Sequence, residues 1–425
     1  MKTARTIGLS LLMITVSHAG WAREAARTDI NPALLYYQAF LLAPEPMSSS
    51  DMDYLFSQPG RSQPLPERFG NIFAGYDSQF KLVRQAAQAK VPCDWGIDLS
   101  AGPGTLLPHL ARGKGVVQAA RFRVMWELQH GQQAEARDDL LAAMALGRNI
   151  SRDGTLISSL VQIAMEAIAC STVAEDFGRF SPETLQQLAQ GMDALPARGT
   201  VAQSMTTEKA CFHDWLERKV VELKQESGGD ETKAMAAIQE LFASMEGGEA
   251  ADVKRQASEH WARVMRASGG TSDGIIKMLA EESGYYDELA VVAALPYAEF
   301  EPQMALFRQR INKSGYPFTL LPALEKSRSK EFRVQVTLSM VRAAIEYKLH
   351  GQAGFEAVAD PCGQGGPFGF ERFIFKGVDR GFKLTSAYNM SGNNVVLIFV
   401  EGEGPAFRVD GPHAGEALLE PGAQK

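Results

Sequence analysis

The sequence predicts a mostly α-helical protein of stacked helical hairpins that ends in a small antiparallel β-meander packed on a helix. Three observations predict it. Apolar residues recur at helical spacing from about residue 33 to residue 350. Glycine pairs at 228–229, 247–248 and 269–270 punctuate the middle of the chain at helix-length intervals. Beyond residue 365 the period falls from 3.6 to 2 and turn residues separate short β-branched and aromatic runs.

The chain opens with a short basic stretch, Met1-Lys2-Thr3-Ala4-Arg5, then an apolar run from Ile7 to Val16 and small residues before Ala22. This three-part layout reads as a signal segment over residues 1–22. Its apolar run is too short to cross a bilayer. The expected location is periplasmic or secreted, and no later stretch is expected to span a membrane, the segment Leu289–Leu295 being read as core.

The remaining chain divides into a helical domain over 23–330, a small α/β element over 331–405 and a tail over 406–425. Asp29 ahead of Asn31-Pro32, an acceptor side chain before an early proline, opens the first helix, in which Leu34, Leu35, Gln38, Leu41 and Leu42 mark the expected inner face. Residues 47–70, rich in Ser, Pro and Gly, read as loop with a short turn of helix at most, and helix resumes over 77–90. The stretch 91–104 is irregular. Leu106, Leu107, Leu110, Val117, Ala120, Val124 and Leu128 then mark a helix, Gly131 a turn, and Ala136, Leu140, Leu141 and Met144 a second helix, which makes a hairpin. Helices follow over 155–177, from Ser181-Pro182 to Leu195, over 201–226, 230–245, 250–267 and 331–350. Three strands are expected at Phe370–Phe375, Gly381–Thr385 and Val395–Val400, with turns at 378–381 and 390–394.

The chain carries 43 basic and 50 acidic residues. Loss of Lys2 and Arg5 with the signal leaves 41 against 50, a charge of −9. An acidic chain without a basic patch argues against a nucleic-acid partner or an anionic membrane surface. The sequence contains no G-x-S-x-G elbow, no phosphate loop and no H-E-x-x-H pair. Neither a metal nor a cofactor is expected.

Four residues stand out as candidate ligand contacts. Asp94 and Trp95 sit in the loop Cys93-Asp94-Trp95-Gly96, read as a ligand-contact loop or as an indole that plugs the end of the helical stack. His109 follows at the start of the next helix. Glu166 falls inside an apolar helix, where an unpaired carboxylate is costly, so pairing to an arginine such as Arg148 competes with catalysis. His213, Asp214 and Glu217 share a helix region and read as a solvated face. Gly102-Pro103-Gly104 reads as an anion cradle or a connector. Of the cysteines Cys93, Cys170, Cys211 and Cys362, none is spaced for zinc. Cys170 and Cys211 lie on helices that return alongside each other, so they form the candidate disulfide, with buried free thiols as the rival.

Trp126-Glu127-Leu128-x-x-Gly131 and Glu135-Ala136-x-x-Asp139-Leu140 resemble a tetratricopeptide-type hairpin. Cys93-Asp94-Trp95-Gly96, Leu107-Pro108-His109-Leu110 and Glu208-Lys209-Ala210-x-Phe212-x-Asp214-Trp215-Leu216 resemble an exported bacterial family of helical proteins, a likeness that implies fold and no particular chemistry. Ala344-Ile345-Glu346-Tyr347-x-x-His350-Gly351, with Asp360-Pro361 and the strands, is similar to the helix–loop–sheet end of type II pseudopilins. The methylation segment and long apolar helix of a pilus subunit are absent, so that likeness implies only a small α/β element. The expected function is a helical scaffold that binds an envelope protein or peptide. The alternatives are an envelope enzyme with a site near the 93–109 loop, or an accessory to a secretion or pilus system.

Overall fold

The computed structural model describes residues 28–56, 63–245, 251–314, 321–390 and 392–403. The expected signal segment and tail lie outside the described residues. Among the described residues, helix makes up 71%, in 15 helices, with one three-stranded antiparallel sheet at the C-terminal end.

At the N-terminal end, α1 (Pro32–Leu41) starts where expected, with the Asn31 side chain accepting from the Ala33 N–H at 3.1 Å. Its inner face differs from the one the leucines mark. Ala33, Leu35, Tyr36, Ala39 and Phe40 are buried, whereas Leu34, Leu41 and Leu42 face solvent. The aromatic side chains turn inward because each buries more apolar area than a leucine. The segment expected to be loop carries two short helices, α2 (Ser49–Phe56) and α3 (Arg68–Ala74). Leu55, Leu65, Phe69 and Phe73 there pack against Phe122 and Met125, so tertiary burial overrides a weak local signal. Gly70 permits the approach, since a Cβ at that position would stand 2.8 Å from the Trp126 ring. Helix α4 (Asp77–Ala87) and the 3-10 turn Leu99–Gly104 complete this end.

The hairpin forms, although its first helix starts at Pro108 and leaves the expected Leu106 exposed outside it: α5 (Pro108–Gln129) and α6 (Gln133–Ile150) are joined through Gly131 in the left-handed region, φ 72°. Next comes α7 (Leu156–Glu175), capped by Thr155. It packs against α5, α6 and the C-terminal sheet. Such a surrounded helix is apolar on nearly every side. Contrary to expectation, α7 is long and apolar enough to cross a membrane by length and composition, with 61% of its apolar window buried inside the protein. Helix α8 (Pro182–Asp193) begins with the Ser181 cap, which accepts from the Thr184 N–H at 3.1 Å.

The helix expected over 201–226 is three pieces: α9 (Val201–Glu208), a π-helical turn (Lys209–His213) and α10 (Asp214–Glu226). Helices α11 (Glu231–Met245), α12 (Ala251–Ser268) and α13 (Ser272–Ala293) follow. Gly228, Gly229, Gly269 and Gly270 all have positive φ at the connections. Leu216, Val220, Ile238, Phe242, Val264, Ile275, Met278 and Leu279 form a core of their own between α10 and α13. Leu289, Val292 and Ala293 join the main core, as expected.

Helix α14 (Tyr297–Ser314) leads to α15 (Leu321–Glu356), which kinks at Gly351 (φ 65°, ψ −151°). It begins ten residues before the expected start and so crosses the expected 330/331 boundary. The sheet is a meander in the order β1 (Gly369–Phe375), β2 (Val378–Met390) and β3 (Asn393–Val400). Phe370 pairs with Leu384, Leu384 with Leu397, and Phe382 with Phe399. That apolar face packs on α15 through Tyr347 and Phe355, and on Phe177 beyond α7. The first turn is shorter than expected. Lys376 and Gly377 both have positive φ (52° and 78°), as a two-residue hairpin turn requires, so Val378–Arg380 belong to β2.

Candidate functional site

Trp95 and His109 come together in the interior. The Trp95 indole is 5% exposed and donates through Nε1 to the Asn149 carbonyl at 2.7 Å. Its ring lies 5.7 Å from Tyr36, 6.3 Å from Phe40, 5.4 Å from Tyr37 and 4.5 Å from the His109 imidazole. The indole is therefore the plug that fastens α1 to the hairpin. His109 is fully buried, with Nε2 3.2 Å from Asp153 Oδ2, a close polar contact without hydrogen-bond alignment. Burial raises the Asp153 carboxyl, but His109, Ser158 and Thr155 outweigh it and hold the group below the usual carboxylate range. Sequence reasoning missed Asp153, although it sits just before the Thr155 cap, where an acid accepts helix N–H groups.

Asp94 separates from these rings and stays at the surface. Its carboxylate accepts from the Gly96 N–H at 2.9 Å, and its backbone exchanges hydrogen bonds with the Asn31 side chain. It shapes the turn and ties the loop to the cap of α1. Gly102 does not form an open cradle: a Cβ there would stand 2.5 Å from the Trp215 indole.

Glu166 lies elsewhere, on α7, fully buried and bound by arginines as the pairing alternative expected. Arg148 Nε donates to Oε1 at 3.3 Å, and Arg198 donates through Nε and Nη2 at 2.9–3.1 Å. Arg198 also approaches Glu331, which accepts from Arg328 at 2.6 Å. Three arginines and two glutamates thus form one ion-pair cluster, with an excess of one positive charge, where α6, α7 and α15 meet.

All four cysteines are free, so the expected Cys170–Cys211 bridge is not formed. Helices α7 and α9 do run alongside each other in opposite directions, through Gln162–Gly199, Ser159–Ser204 and Leu156–Glu208 contacts. Cys211 follows Glu208, next to the start of α7. Cys170 is fourteen residues farther along α7, about 21 Å away at 1.5 Å per residue. Burial pushes the Cys93, Cys170 and Cys362 thiols up to about 12. Titration of the denatured, unreduced protein should count four free thiols; a count of two would show that a bridge forms.

His213 is buried, not solvated. It closes the π-helical turn, with Nε2 2.8 Å from the Leu279 carbonyl and Nδ1 3.2 Å from Asp214 Oδ1. A π turn inserts one residue into the helix and often marks a functional position. Here it turns His213 toward a cavity of about 40 Å³ that also meets Phe242, Glu282 and Tyr286. A larger space, about 620 Å³, lies open between α1 and α4, lined by Ile30, Leu34, Leu35, Gln38, Leu82 and Gln85 among others. Nothing in the local pattern marked it, because it depends on which face of α1 turns outward. Among the described residues, no three His, Cys, Asp or Glu side chains converge as a metal site would need. Compared with known protein families, characterised proteins and solved structures, the chain matches none.

Proposed function

We propose that this protein is an exported helical scaffold that binds a peptide segment of an envelope protein in the open groove between α1 and α4. The observation that carries the reading is Leu34, 55% exposed on α1 beside Leu35 and Leu82, with the side-chain amides of Gln38 and Gln85 in the same groove. An apolar floor with groups that both donate and accept suits a peptide, whose backbone does the same. About 620 Å³ also falls in the ordinary range for ligand sites. The buried acids and histidines contribute little to an enzyme reading: Glu166 is bound by arginines, and Trp95 and His109 are turned into the core. The basic and apolar opening of the chain supports export.

The test is photocrosslinking from position 38 in envelope extract, followed by affinity measurement on the captured segment. Leu34→Lys should weaken binding at least tenfold and leave the melting temperature unchanged, because Leu34 packs on the outside. Leu306→Lys, at an equally exposed leucine away from the groove, should leave binding intact. Equal effects of the two substitutions would overturn the reading.

A further inference from the structure

The second cavity is lined by a buried carboxylate. Glu282, on α13, is 6% exposed, and its Oε1 has no hydrogen-bond partner among the described residues. An ionised carboxylate left in this way is unfavourable, so the group either takes up a proton or gains a cationic partner. His213 is not that partner. Both of its ring nitrogens already face acceptors, the Leu279 carbonyl and the Asp214 carboxylate. The remaining walls are the His260 imidazole and aromatic, aliphatic and thioether groups, Phe212, Phe242, Tyr286, Val264 and Met278 among them.

We propose that this cavity is a binding site for a small organic ammonium ion of the methylammonium class, with Glu282 as its charge partner and the surrounding rings as its walls. The lining selects the chemistry. A carboxylate supplies the opposite charge, and aromatic faces attract a cation whose alkyl part needs no hydration. A bare alkali or divalent ion would need several oxygen ligands, whereas the Leu279 carbonyl is taken by His213 and the other walls are mostly apolar. Volume sets the size. About 40 Å³ accommodates roughly three water-sized centres, enough for methylammonium or dimethylammonium and too little for a quaternary ammonium such as choline. The cavity lies in the separate core between α10 and α13, away from the α1/α4 groove, so the inference does not depend on peptide binding.

Burial pushes the Glu282 carboxyl up to about 7. The titratable groups that face it are His213 on the π turn, His260 on α12 and Tyr286 on α13. The cation requires the ionised carboxylate, so affinity should be full above pH 8 and fall about tenfold per pH unit below 7.

The test is calorimetric titration of the whole protein with methylammonium chloride at pH 8, against potassium chloride and tetramethylammonium chloride at equal ionic strength. Saturable one-to-one binding of methylammonium alone, lowered at least tenfold by Glu282→Gln and weakened about tenfold at pH 6, is expected. Glu282→Gln removes a buried charge at constant shape and should melt no lower than the parent. Phe242→Leu gives a second variant that keeps the carboxylate and should weaken binding severalfold. Equal binding of potassium, equal affinity in Glu282→Gln, or no saturable signal would each overturn the proposal.

Discussion

Trp95→Ala is expected to lower the unfolding free energy by about 4 kcal/mol, the usual cost of a large aromatic removed from a core. The indole contacts Tyr36, Tyr37, Phe40 and His109 and is the donor to the Asn149 carbonyl. Truncation therefore opens a cavity at the junction of α1, the 93–104 loop and α5, and it leaves a buried carbonyl without that donor. Because α1 is one wall of the groove, peptide affinity should fall together with stability. Trp95→Phe separates the two contributions. It keeps most of the ring contact and loses the hydrogen bond, which should cost about 1–3 kcal/mol. Urea unfolding followed by far-UV circular dichroism measures both. A change under about 1 kcal/mol for Trp95→Ala would mean that the loop does not fasten α1.

The second large effect is at Glu166. Breaking a buried ion pair from one side typically costs about 3–5 kcal/mol, because the surviving charges stay buried without a partner. Glu166→Ala would leave Arg148 and Arg198 facing each other, with Glu331 the nearest remaining acid. Arg198→Ala should cost less, because Arg148 still reaches the carboxylate. The double variant Glu166→Ala/Arg198→Ala should be more stable than the sum of the single losses predicts, with a coupling above about 1 kcal/mol. Strictly additive losses would mean that the two side chains do not act as a pair. The same measurement bears on catalysis: a carboxylate held by two arginines has a structural task, and its loss should appear first as loss of stability.

The helical signals that were legible in the chain are local ones. Ser181-Pro182 and Asn31-Pro32 open helices because a side-chain oxygen reaches an N–H group two or three residues ahead. Gly131 and the glycine pairs at 228–229 and 269–270 turn the chain where left-handed backbone is needed. The change of period after residue 365 marked the strands because alternation in a half-buried sheet is a property of neighbouring residues. Helices α2 and α3 were not legible: their burial depends on Phe122, Met125 and Trp126, which lie far downstream in sequence.

The candidate sites were less legible for the same reason. Trp95 and His109 stood out by residue type, but only folding set them against each other and paired His109 with Asp153, forty-four residues away in sequence. Glu166 was readable as a carboxylate in need of an arginine, and Arg148 was in view; Arg198 and the neighbouring Glu331 and Arg328 were not. By itself the sequence determined the helical class, the starts of α1 and α8, the hairpin and the C-terminal meander, since each rests on contacts spanning a few residues. Only the tertiary structure decided which face of α1 is exposed, that Cys170 and Cys211 stand apart, that a π turn directs His213 inward, and that Glu282 faces a cavity. Those outcomes depend on helices meeting side by side, where burial area and charge pairing between distant segments outweigh local preference.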